Sequence, residues 1–242
     1  MQQQILAQSR PLAETAVRRN ACMDCRVRDK CIAACALDSL EPRARDEIAG
    51  DRARFAAGEH LYWRDDRFSA LYVVTGGSFK SYNVDLDGNE RVRGFHYPGS
   101  LIGFDGIESG RQRCHVEAME DATVCALPFD RLLTLSLHAP SLQTDLFRSL
   151  SRDLVHAETL AGDYPAEVRM AAFILEIGGD GAEARLPMAR RDIANYLRLA
   201  TETVSRLMTR FRREGLIECR GRSVRVVDID GLREIAEPSL SN

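Results

Sequence analysis

Residues 190–227 read RRDIANYLRLATETVSRLMTRFRREGLIECRGRSVRVV. The pattern predicts a helix, a short turn, a second helix and then a hairpin turning at Gly221. Wound at about 100° per residue from Glu202, Ser205 falls at about 300°, Arg206 at about 40° and Thr209 at about 340°. Val204, Leu207, Met208 and Phe211 fall between about 140° and 240°, so the second helix has one polar and one buried face. The polar face carries what base readout needs: an arginine fork for guanine O6 and N7, a carboxylate that accepts from cytosine N4, and small hydroxyls that fit between them. Thr201, Glu202, Ser205, Arg206 and Thr209 are the candidate base-reading residues, and Arg210, Arg212 and Arg213 flank them for phosphates. Two helices with a tight turn and a following ribbon form a winged helix-turn-helix, whose second helix enters the major groove.

Charge supports this placement. From Arg185 to Arg225 there are eleven arginines against four acids, a balance of +7 within a chain of net charge -3, which leaves -10 elsewhere. Such asymmetry belongs to a chain that meets a polyanion, and Arg220, Arg222 and Arg225 on the ribbon are placed to track a phosphate backbone.

Upstream the pattern changes. Between about Phe55 and Phe129 short β-prone runs alternate with glycine turns: LYVV then TGG, FKSYNV then DLDGN, RVRGFHY then PGS, and finally TVCALPF. Many short strands at regular spacing predict a sandwich, jelly roll or barrel. After Pro140 comes a helical run, SLQTDLFRSLSRDLVHAETLAG, stopping at Gly162. Along it Phe147, Leu150, Leu154, Ala157 and Ala161 step by three and four, the spacing of a coiled-coil seam. Two heptads leave packing on the β-domain and pairing with a second copy equally open.

The 242 residues contain seven cysteines, and the longest apolar stretch, Met170–Leu175, is far short of a membrane span. The opening MQQQILAQSR lacks the apolar core of a signal peptide, so the expectation is a cytoplasmic protein with no membrane partner. A reducing cytosol disfavours disulfides. Cys22, Cys25 and Cys31 form C-x2-C-x5-C among charged neighbours, Asp24, Arg26, Arg28, Asp29 and Lys30, which is unlike the apolar company of inert thiols. Three thiolates so spaced suit an iron-sulfur cluster with a fourth ligand from elsewhere. A site of Cys22, Cys25, Cys31 and Cys35 stays open for either iron-sulfur or zinc, as does thiol redox sensing. Cys114 and Cys219 are isolated and read as structural; Cys125, taken alone, reads as a strand residue of the core. There is no P-loop, nucleophile elbow or zinc-protease motif, and the five histidines show no metal-ligand spacing, so an enzyme is not expected.

Taken together, CMDCRVRDKC (22–31), GEHLYWRDD (58–66), LYVVTGGSFKSYNVDLDGNERVRGFHYPGSLIGFDGI (71–107), TVCALPF (123–129) and RRDIANYLRLATETVSRLMTRF (190–211) resemble the FNR branch of the CRP/FNR transcription regulators. The resemblance runs from Cys22 to about Val227. It implies an α+β chain of four parts: a cysteine-rich cluster-binding segment (1–40), a jelly-roll β-barrel sensor domain (41–137), a dimerisation helix (138–163) and a winged helix-turn-helix domain (164–242). It implies a [4Fe-4S] cluster on Cys22, Cys25, Cys31 and Cys125, and a homodimer joined through Phe147, Leu150, Leu154, Ala157 and Ala161. In such proteins oxygen converts [4Fe-4S] to [2Fe-2S] and then to apoprotein, with loss of dimerisation and of DNA binding.

By the same resemblance, Glu202, Ser205 and Arg206 read a TTGAT-like half-site within an inverted repeat of double-stranded promoter DNA, and Asp85–Glu90 is a candidate surface for RNA polymerase. The cyclic-nucleotide branch holds phosphate with an Arg-Ser pair; GFDGIESGRQRCHVEAM (103–119) has Asp105 and Glu108 and no such pair, so no cyclic nucleotide is expected.

Overall fold

The computed structural model of the chain describes residues 25–31, 52–137, 139–178, 183–221 and 223–240. Cys22, Cys35, Arg222 and the side chain of Ala161 lie outside the described residues. The chain forms two compact units, one containing Arg93–Leu150 and the chain up to Asn83, the other containing Val84–Val92 and the chain from Ser151.

The first unit is built from β1 (Arg52–Phe55), β2 (His60–Tyr62), β3 (Ala70–Gly76), β4 (Phe79–Val84) except its last residue, β5 (Glu90–His96) from Arg93 on, β6 (Leu101–Ile102), β7 (His115–Ala118) and β8 (Ala122–Pro128). These make two four-stranded sheets, ordered β1-β8-β3-β6 and β2-β7-β4-β5, in which β1–β8, β8–β3, β3–β6, β2–β7 and β7–β4 pair antiparallel. Strand alternation decides which residues go where. Ala70, Tyr72 and Val74 of β3 and Ala122, Val124 and Ala126 of β8 join Phe79, Val116 and Ala118 in the core between the sheets. Leu71 and Val73, with Leu127, face the other way and are buried too, under Leu132 and Leu135 of α1 (Phe129–Ser136) and Leu142 of α2 (Pro140–Ala161). The sheet is therefore covered on both faces. Among the described residues no helix is long and apolar enough to cross a membrane.

The second unit carries α3 (Ala166–Gly178), β9 (Glu183–Arg185), α4 (Arg190–Tyr196), α5 (Thr201–Arg213), β10 (Ile217–Arg220), β11 (Ser223–Val226) and α6 (Ile229–Leu240). The ribbon is the expected hairpin with β9 added on its free edge, in the order β10-β11-β9. Val204, Leu207, Met208 and Phe211 of α5 are all buried, as the helical winding requires.

The turn between α4 and α5 is a Schellman arrangement: Leu199 N–H donates to Ala194 O at 2.8 Å and Arg198 N–H to Asn195 O at 3.2 Å. That closure requires a left-handed residue, and Arg198 takes it at φ 53°, where glycine is the usual choice. A side chain in this region costs on the order of 1 kcal/mol. Arg198→Gly is expected to raise unfolding stability by about 1 kcal/mol in urea titrations, and an unchanged midpoint would show that the arginine makes compensating contacts.

Candidate DNA interface and thiol site

On β8 the alternation that sends Val124 and Ala126 between the sheets turns Cys125 to the opposite face, beside Leu127. Cys125 stands directly across from Val73 in the β3–β8 pairing. The segment from Cys25 to Cys31 lies against this same face: Val27 and Cys31 are buried in the cluster with Leu71, Val73, Leu101 and Leu127, and Cys25 and Cys125 pack at its border. Two tight turns hold the segment, with Arg28 N–H to Cys25 O at 3.0 Å and Cys31 N–H to Arg28 O at 3.1 Å. The turn after β5 leaves room for it at Gly99, where a Cβ would lie 3.0 Å from the Lys30 Cβ.

Three of the four expected thiols thus lie in or against one apolar cluster although Cys125 is 94 residues beyond Cys31. They do not yet converge on a point: among the described residues no three His, Cys, Asp or Glu side chains are grouped closely enough to hold a metal ion. Cys114 is a different kind of thiol, buried between the sheets, where burial first and Asp105 second push its pKa up to about 12. It stays protonated and structural.

On α5, Glu202, Arg206, Thr209, Arg210 and Arg213 are exposed, with Thr201 beside them at the helix start and Ser205 partly so. Thr209 Oγ1 donates to Ser205 O at 2.9 Å, which ties down that end of the polar face. Arg210 is drawn into ion pairs, with Glu167 at 2.6 Å and Glu214 at 2.8 Å. On the wing, Glu218 holds Arg225 at 2.8 Å, and Arg220, 82% exposed, is 3.9 Å from the same carboxylate. Also in this unit, Asn195 of α4 accepts Val92 N–H at 2.8 Å and donates to Glu90 O, fixing the base of the 84–92 segment. Leu86 at its tip is fully exposed.

Along α2, Phe147, Leu150 and Leu154 are 69, 38 and 61% exposed, and Ala157 continues this apolar stripe. Nearer the end of α2 lies a group absent from the sequence reading. His156 Nδ1 is 3.6 Å from Glu176 Oε2, and its Nε2 is hydrogen-bonded to the Tyr196 hydroxyl. Desolvation, then Asp153, pushes Glu176 up to about 7; desolvation, opposed by Arg152, pushes Asp153 up to about 6; desolvation pushes His156 down.

The raised carboxyls contribute stability that is complete below their unfolded values near 4 and is lost as pH rises through about 6 and 7. His156 opposes them, with stability lost as pH falls through its ordinary range. Since 45% of the Glu176 side chain is exposed, solvent screens the effect, and its sign is the testable part. Glu176→Gln is expected to flatten the decline in stability between about pH 4.5 and 7 in urea titrations, whereas a pH profile parallel to that of the unsubstituted protein would refute the assignment.

Residues 168–235 match the Crp-like helix-turn-helix domain and residues 52–138 the cyclic nucleotide-binding domain. The chain is 34% identical over 231 residues to the transcriptional activator protein FnrA of Stutzerimonas stutzeri, covering 91% of this chain and 94% of the relative. It is 34% identical over 225 residues to the fumarate and nitrate reduction regulatory protein of Escherichia coli strain K12, covering 89% and 90%. Among solved structures, FixK2 of Bradyrhizobium japonicum superposes with a TM-score of 0.69 at 28% identity, covering 78% of this chain and 98% of that one.

Proposed function

Because the chain belongs to the CRP/FNR family of transcription regulators, and is a regulator and not an enzyme, we propose that it senses oxygen through a [4Fe-4S] cluster and binds inverted-repeat promoter DNA as a homodimer while that cluster is intact. The observation that carries this reading is the gathering of Cys25, Cys31 and Cys125 at one apolar cluster. The expected donors are all thiols, which fits iron-sulfur chemistry; Cys22, three residues before Cys25, is the fourth ligand. Bound there, the cluster supplies oxygen-labile iron-thiolate bonds.

The chain's own residues do the rest. Cys125 lies 94 residues beyond Cys31, so ligands on both staple the N-terminal segment to β8. That segment covers the face on which α1 and the start of α2 also pack, through Leu132, Leu135, Ala139 and Leu142. Loss of the staple loosens the support of α2 and shifts the pairing of Phe147, Leu150, Leu154, Ala157 and Ala161 with the same stripe on a second copy. Two reading helices are needed to engage two half-sites at once, so weaker pairing lowers DNA affinity.

Glu202, Ser205 and Arg206 read the bases of a TTGAT-like half-site, with Thr201 and Thr209 beside them and Arg213 toward the phosphates. Asp85–Glu90, with Leu86 at its tip, is the surface offered to RNA polymerase. A cyclic nucleotide is not the signal in this reading: residues 103–119 lack an Arg-Ser pair, and in that stretch Glu108 pairs with the Arg113 guanidinium while Asp105 Oδ2 accepts the Arg113 backbone N–H at 2.9 Å.

Anisotropy with a labelled inverted-repeat duplex tests the reading. Anaerobically prepared protein is expected to bind at least roughly tenfold more tightly than the same sample after air, as dimer loss requires. Equal affinity before and after air would end the oxygen-sensing reading while leaving DNA binding in place.

A further inference from the structure

We infer that Arg210 is a positioning residue of the reading helix, clamped by Glu167 and Glu214, and not one of the phosphate contacts its sequence position suggests. The inference rests on the DNA-binding reading of α5 and goes beyond it by assigning work to a residue of α3. On the helix wheel Arg210 lies about 40° past Arg206, at the edge of the polar face. There one terminal nitrogen donates to Glu167 Oε2 at 2.6 Å and Nε donates to Glu214 Oε1 at 2.8 Å. The planar guanidinium fork spans two carboxylates from different directions, which an ammonium on a single flexible stem does not reproduce.

Helix ends favour the clamp. Glu167 stands in the first turn of α3, where a carboxylate is stabilised, and Arg210 in the last turn of α5, where a cation is. The group of three carries a net charge of -1, so it repels a phosphate. Both carboxylates also raise the arginine's affinity for its proton, the Glu214 hydrogen bond most.

A second strut starts from the same turn of α3. Arg169 donates to Leu197 O at 2.9 Å, the carbonyl that caps α4 just before the left-handed Arg198. Glu167 thus holds the reading helix and Arg169 holds the end of its partner helix, so the first turn of α3 sets how α5 is presented to a groove. Base readout depends on that presentation at the level of hydrogen-bond geometry.

The test is anisotropy of full-length anaerobic protein on an inverted-repeat duplex across about 50–300 mM salt, for Glu167→Gln, Arg210→Gln, Arg210→Lys and the double variant Glu167→Gln with Arg210→Gln. Glu234→Gln, an exposed carboxylate on α6, measures the effect of one lost negative charge alone. The clamp predicts that Glu167→Gln weakens binding severalfold relative to Glu234→Gln, with the same salt slope. It predicts that Arg210→Lys is as weak as Arg210→Gln and that the double variant is no weaker than either single one.

A phosphate-contacting Arg210 gives the opposite results. Glu167→Gln then releases the arginine, tightens binding and steepens the slope, Arg210→Lys stays near the unsubstituted protein, and Arg210→Gln flattens the slope by roughly 1.8 per dimer. Any of these outcomes overturns the inference. Wild-type protein that fails to distinguish the inverted repeat from a scrambled duplex would instead overturn the DNA reading beneath it. Circular dichroism of each variant identifies one that has not folded, and the remaining variants still separate the two outcomes.

Discussion

Arg206→Ala is expected to cut discrimination between the inverted repeat and a scrambled duplex by at least roughly 30-fold. Arg206 sits exposed on the polar face of α5, one turn from Glu202 and beside Ser205. A bidentate arginine-guanine contact is worth about 1–3 kcal/mol, and a dimer makes it twice, so the loss is about 2–6 kcal/mol, or at least roughly 30-fold in affinity. Binding to the scrambled duplex, dominated by phosphates, should fall far less. The check is the ratio of the two affinities at one salt concentration. A ratio that survives the substitution would mean that the bases are read by other residues.

The second large effect separates two phenylalanines that composition treats alike. Phe211 is fully buried on the inner face of α5, whereas Phe147 is 69% exposed on α2. Phe211→Ala removes a ring from a closed core and is expected to cost about 3–5 kcal/mol, visible as an early unfolding transition in urea. Phe147→Ala should leave that transition within about 0.5 kcal/mol, because an exposed side chain has little folding energy to lose. Its effect should appear in the concentration dependence of the dimer, measured by analytical ultracentrifugation under anaerobic conditions. If Phe147→Ala destabilised the monomer and left dimerisation intact, the stripe on α2 would be an intramolecular contact.

The parts of this chain legible in sequence are those where one face is wet. On α5 the alternation of Val204, Leu207, Met208 and Phe211 with Glu202, Ser205 and Arg206 has a period that only a helix satisfies, so both the element and its buried side were evident. On β8 the same logic failed for a physical reason. In TVCALPF both faces are covered, one by the second sheet and one by the thiol segment and the helices, so alternation carries no polar signal and Cys125 could not be assigned a side.

Arg198 was equally silent, since the turn it closes ordinarily takes glycine. The clamp on Arg210 depends on Glu167, 43 residues away, and the group at His156 and Glu176 joins two helices; side-chain meetings of this kind leave no trace in local periodicity. The helix α6 was also missed, its apolar positions being interrupted by Gly231 and Pro238.

The most direct test of the account is the content of iron and acid-labile sulfide in anaerobically purified protein, with its visible spectrum followed into air. About four of each per chain, a colour that bleaches in air, and loss of both on Cys125→Ser are the predicted results. Colourless protein holding one zinc per chain and refusing cluster reconstitution would contradict it, leaving a DNA-binding regulator whose signal is zinc or thiol chemistry.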